Sequence, residues 1–189
     1  MKMMTTRSER MTWLGAGCLA LALALAAPAA SAGPKEDNEA AIAEFNKGDF
    51  VTSMALWLKS AEAGYAPAQV WLGDILDKSE EDEDAVKWYL KAAEQGDASG
   101  QFGLGLMHAK GEGVKKDLAQ AYGYVLKAAE QAHAPAMFAL AAAFRTGGLG
   151  QAIDAAKADE WQAKLYEAAP NYKPAPVEQP VEVKKKRRK

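Results

Sequence analysis

The chain is short of chemically reactive side chains. Its single cysteine, Cys18, lies close to the N-terminus. If that segment is removed, the protein has no disulfide, thiol nucleophile or thiolate metal ligand. An oxidising compartment is not thereby excluded; the fold simply does not rely on cross-links there. Histidine is nearly as scarce. His108 and His133 are twenty-five residues apart and form no His-x-x-x-His pair, so zinc chemistry on a helix has no foundation. Aromatic residues make up only 8% of the chain, against 49% hydrophobic residues overall. The remainder of that fraction is dominated by Ala and Leu, which favour helix over sheet. Gly-x-Ser-x-Gly, His-Glu-x-x-His and phosphate-binding loop motifs are missing as well.

Charge is unevenly distributed. The net charge of -2 combines residues 33–183, with 14 Lys/Arg and 24 Asp/Glu, and a C-terminal run of six cations, Lys184 to Lys189. The first 32 residues are different again. Lys2, Arg7 and Arg10 precede an apolar stretch from Trp13 to Ala27, and Ala30-Ser31-Ala32 offers small residues to a signal peptidase. This segment reads as a secretory signal cleaved after Ala32, giving an exported, periplasmic or secreted protein. The alternative is an uncleaved N-terminal anchor, since about twenty helical residues span a bilayer.

What the chain has in quantity is itself, repeated. Ala61-Glu62-Ala63-Gly64, Ala93-Glu94-Gln95-Gly96 and Ala129-Glu130-Gln131-Ala132 are offset by 32 and then 36 residues. The same offsets align Ser53, Ala85 and Ala121, then Leu58, Leu90 and Leu126, and finally Leu72, Leu104 and Leu140. A period in the mid-thirties is the signature of a helix-pair array. Ala85, Trp88, Tyr89 and Ala92 fall on one helical face. Gly64 and Gly96 can end a helix in the left-handed conformation, and Pro67 and Pro135 suit the first turn of the next one. Small residues such as Gly73, Gly100 and Gly105 mark places where two backbones must meet closely. Asp117 can cap the helix that follows the AKGEGVKKD loop.

The stretch WYLKAAEQGDASGQFGLGLMHAKGEGVKKD, Trp88 to Asp117, resembles the Sel-one-like repeat family, relatives of tetratricopeptide repeats. The likeness extends over about Asp49 to Ala169. It departs at Ala132, which replaces the turn glycine, and in the first unit, whose Gly-x-Gly loop has become SEEDED. The resemblance implies an all-α, right-handed α/α superhelical solenoid of about three helix pairs with a terminal capping helix, acting as an adaptor in protein complexes. The expected organisation is a signal peptide at 1–32, an N-terminal capping helix at 33–48, the solenoid at 49–169, and a Pro-rich linker with a polybasic tail at 170–189.

One helix pair cannot bury its apolar stripe alone, so stability comes from stacking, and an elongated concave face is left over. That face is the expected seat of a protein partner. Lys59, Lys91, Lys127 and Lys164 recur at equivalent positions, and the first three are the candidate partner-binding residues. Each is followed three residues later by Glu62, Glu94, Glu130 or Glu167, so an ordinary surface ion pair is the competing reading. Glu80 to Asp84 is read as an acidic helix start.

Lys184, Lys185, Lys186, Arg187, Arg188 and Lys189 are candidate ligands for a polyanion, such as a lipid head group, lipopolysaccharide or nucleic acid. No cofactor, metal or small-molecule substrate is expected. A hydrolase of the penicillin-recognising type, attributed to some exported members of the family, is the enzymatic alternative. Its Ser-x-x-Lys is absent, because Ser53, Ser60, Ser79 and Ser99 are followed by Leu56, Ala63, Asp82 and Phe102.

Overall fold

The computed structural model describes residues 33–174, so the leader, its cleavage site and the polybasic tail lie outside the described residues. The described chain forms eight α-helices: α1 (Pro34–Lys47), α2 (Phe50–Glu62), α3 (Ala66–Lys78), α4 (Asp82–Glu94), α5 (Ala98–Lys110), α6 (Leu118–Glu130), α7 (Ala134–Thr146) and α8 (Ala155–Ala168). Each helix packs against the next, and no strand occurs among the described residues. No helix among them is long and apolar enough to cross a membrane.

Local signals fix the helix ends. Four aspartates open helices by accepting backbone N–H bonds: Asp49 from Thr52, Asp97 from Gly100, Asp117 from Ala119 and Gln120, and Asp154 from Lys157, at 2.8–3.1 Å. Such a cap contributes about 1 kcal/mol. Glu80 to Asp84 does mark a helix start, with Asp82, Glu83 and Asp84 in the first turn of α4. Helix α1 runs from Pro34 to Lys47, with Glu36 and Asp37 in its first turn and Lys47 in its last.

The repeat offsets translate directly into a repeated core. Ser53, Ala85, Ala121 and Ala158 occupy the same position in α2, α4, α6 and α8, and all four are 0% exposed. Leu72, Leu104 and Leu140 fill the facing position on α3, α5 and α7. Between these layers the large residue varies. Trp57 stacks on Trp71 at 4.9 Å, and Phe45 of α1 closes over both. Tyr89 is clamped by two glycines, for a Cβ on Gly73 or Gly103 would lie 2.6 or 2.5 Å from its ring. Its hydroxyl donates to Asp74 at 2.7 Å. Burial raises the Asp74 carboxyl, and burial together with Asp74 raises the phenol, so the proton stays on Tyr89.

Not every repeated residue is core. Leu58 and Leu90 are 43% and 38% exposed, so they recur for a reason other than burial within their own unit.

A second series of contacts staples each unit to its predecessor. Gln95 donates to Gln69 at 2.7 Å, and Gln131 donates to Gln101 at 2.9 Å, each bridging the end of one helix to the start of an earlier one. At the N-terminal end Lys59 does the same work with Asp37, at 2.9 Å. Asp37, Gln69 and Gln101 are equivalent under the 32-residue offset, and all three are buried.

Candidate protein-interaction surface

The four recurring lysines stand on α2, α4, α6 and α8. None of them forms the expected ion pair with the glutamate three residues on; among the described residues no such contact falls within 4.0 Å. Lys91 instead lies 3.8 Å from the centre of the Trp88 ring, Lys127 lies 5.6 Å from Tyr124, and Lys164 lies 4.4 Å from Trp161. Lys164 also pairs with Glu160 at 2.7 Å, and Lys59 is taken by Asp37. The reason is directional. Helical side chains lean toward the N-terminus, so each lysine covers the residue one turn before it. A Lys that precedes its Glu is also the weaker ordering of such a pair. A cation over an indole face gains about 0.5–1 kcal/mol at an exposed site.

Two open clefts lie along the same side. One, of about 520 Å³, separates α2 from α4; Leu72 and Leu76 of α3 form its floor, and Leu58, Trp88 and Lys91 its walls. The other, of about 470 Å³, separates α6 from α8; it is floored by Met137 and walled by Trp161 and Lys164. Among the described like-placed helices of successive units, α3 and α5 also touch. Helices α3, α5 and α7 form one row of the stack, and the lysines stand on the other row. Lys59, Lys91 and Lys127, the candidate partner-binding residues, stand in line on α2, α4 and α6.

The other sequence candidates are structural. His108 stacks on Tyr124 with 5.8 Å between rings. His133 precedes α7, packs on Phe102 and approaches the Ser99 hydroxyl at 3.4 Å. Its Nδ1 is buried without a partner, so no third group orients the ring as a general base. Burial lowers its pKa and favours the neutral form. Ser53 and Ser60 are fully buried and donate to the backbone carbonyls of Phe50 and Pro34.

Sequence reasoning missed one cluster: Asp77, Asp82 and Glu112 come from three segments and converge within 4.8 Å. Lys110 sits 2.8 Å from Glu112 and is held in its charged form chiefly by that carboxylate, with Asp77 and Asp82 contributing. The lysine serves as the cluster's counter-ion.

The Sel1 repeat profile matches residues 66–97, 98–133 and 134–161, so the matched units begin with α3, α5 and α7 in turn. Among solved structures, the chain is similar to the c5321 protective antigen of uropathogenic Escherichia coli, which displays an SLR fold. The two are 32% identical with a TM-score of 0.65, over 72% of this chain and 31% of that one. It is also similar to a Sel1 repeat protein from Oxalobacter formigenes, 32% identical with a TM-score of 0.62, over 69% of this chain and 55% of that one. Among curated proteins, the DAP3-binding cell death enhancer 1 of Rattus norvegicus is 31% identical over 100 residues, which is 52% of this chain. The chain spans only 20% of that protein's length.

Proposed function

Because this chain belongs to the Sel1 repeat family, whose members are generally protein-interaction adaptors on a typically non-catalytic fold, we propose that it is an adaptor of the bacterial cell envelope. In this reading the leader exports it, and it holds a protein partner along its lysine-bearing face. The observation that carries the reading is the lysine–aromatic row beside open apolar clefts. Lys91 and Lys127 lie over Trp88 and Tyr124 and meet no carboxylate within 4.0 Å among the described residues. Exposed Leu58 and Leu90 border the same strip. Aromatic anchors flanked by cations suit a partner that brings apolar side chains with carboxylates beside them. The row of α3, α5 and α7 offers a second surface, where Val70, Phe102 and Leu106 are half-buried.

The test is crosslinking of the tagged protein in its native envelope, compared with the double variant Lys91→Glu and Lys127→Glu. Each reversal at a well-packed contact is expected to weaken the complex by about tenfold or more. Undiminished capture by the double variant would remove the lysine row from the interface.

A second reading concerns the six C-terminal cations, which suit a polyanion. Replacing Lys184 to Lys189 by Ser should abolish retention on heparin at low salt, and equal retention would exclude it.

A further inference from the structure

The cleft between α6 and α8 exists because one staple is missing. Where α5 has Gln101, α7 has Met137; where α6 is followed by Gln131, the equivalent position at the end of α8 is Ala168. The bridge that closes this place between α4 and α6, Gln131 to Gln101 at 2.9 Å, therefore has no counterpart between α6 and α8. What remains is a notch with a methionine floor, a Trp161 wall, and Ala129, Ala132 and Ala168 around it. Glu130 and Glu167 stand exposed on its rim, while Lys164 is already engaged by Glu160. A ligand for this site needs small apolar side chains followed at once by positive charge.

We propose that the notch is the docking site of this chain's own C-terminal segment, residues 175–189. Three observations carry the assignment. The segment has the required chemistry, since Val181 and Val183 run directly into KKKRRK. It also starts nearby. Ala168, the last residue of α8, lines the notch, and Tyr172 is held against Phe138 with 6.2 Å between rings, so the chain is still on α7 two residues before Pro174. Finally, it is long enough. Six residues separate Ala168 from Pro174, at most about 20 Å, and the nine from Pro174 to Val183 span up to about 30 Å. Val181 and Val183 can therefore return to Met137 and Trp161 while the lysines and arginines meet Glu130 and Glu167. A tail seated there is withheld from polyanions, and it competes with any partner that reaches across α6 and α8.

The test titrates synthetic peptide 175–189 into the unaltered full chain and into a silenced full chain carrying Val181→Ser, Val183→Ser and Ser at 184–189. A tether this short gives an effective concentration of about 1 mM, so a segment with a Kd of about 0.1 mM suppresses peptide binding roughly tenfold. The silenced chain should accordingly bind about tenfold more tightly than the unaltered one. Adding Met137→Gln with Ala168→Gln rebuilds the bridge and should remove that binding. The surface pair Glu130→Lys with Glu167→Lys, which leaves the core alone, should weaken it at least tenfold. Equal binding by unaltered and silenced chains overturns the proposal. So does equal binding of a peptide whose valines are replaced by serine, which reduces the effect to charge alone. A concentration-dependent dimer of the unaltered chain, lost on silencing, overturns it in favour of exchange between copies.

Discussion

One substitution made at two places tests the packing most sharply. Glycine in a helix interior costs about 0.8–1.0 kcal/mol relative to alanine, so Gly→Ala should stabilise wherever there is room. At Gly123 of α6 a new Cβ meets nothing within 4 Å. Gly123→Ala should therefore gain up to about 1 kcal/mol. At Gly100 of α5 the same atom would lie 2.5 Å from the Ala92 Cβ and 2.9 Å from the Ala93 backbone nitrogen. Neither neighbour is a flexible side-chain tip, so α5 must be pushed off α4. Overpacking of this kind costs about 1–3 kcal/mol, and it exceeds the propensity gain, which is reduced in a first turn. Gly100→Ala should thus be the less stable of the two variants by about 2–3 kcal/mol in urea unfolding followed by circular dichroism. If Gly100→Ala matches or exceeds the unaltered chain, α4 and α5 are not in the contact described here.

The other predictions follow from single features. Ala132 holds φ +61° at a turn where its counterparts Gly64 and Gly96 are glycine, so Ala132→Gly should stabilise by about 0.5–1 kcal/mol in the same unfolding assay. Gln131→Ala leaves the buried Gln101 carbonyl without its donor and should cost about 1–2 kcal/mol. His133 has its pKa lowered on folding, so the unfolded chain binds the extra proton first and stability should fall as pH drops below about 6.5. His133→Gln should flatten the melting temperature between pH 7.5 and 5.5, and an unchanged slope would assign the effect elsewhere.

Most of the scaffold was legible in the sequence because repetition writes the same constraint several times. Ser53, Ala85, Ala121 and Ala158 recur because that position is always fully buried, and the turn glycines recur because the left-handed turn does. The candidate surface was legible only in part. Repetition picked out Lys59, Lys91 and Lys127 but not what holds them. Two of those lysines lie on aromatic rings one turn back, and the other is taken by a buried carboxylate from α1. The glutamine staples were hidden because their ends lie 26 and 30 residues apart, in helices that no local pattern connects. Once they are known, the departure at Met137 and Ala168 becomes readable as the origin of a cleft.

The central claim, that the lysine–aromatic row is the binding face, is tested most directly by residue-level crosslinks between this chain and a captured partner. Contacts should fall on α2, α4, α6 and α8 around Trp88, Lys91 and Lys127, and should disappear with the double charge reversal. Contacts concentrated on α3, α5 and α7, and insensitive to that reversal, would contradict it.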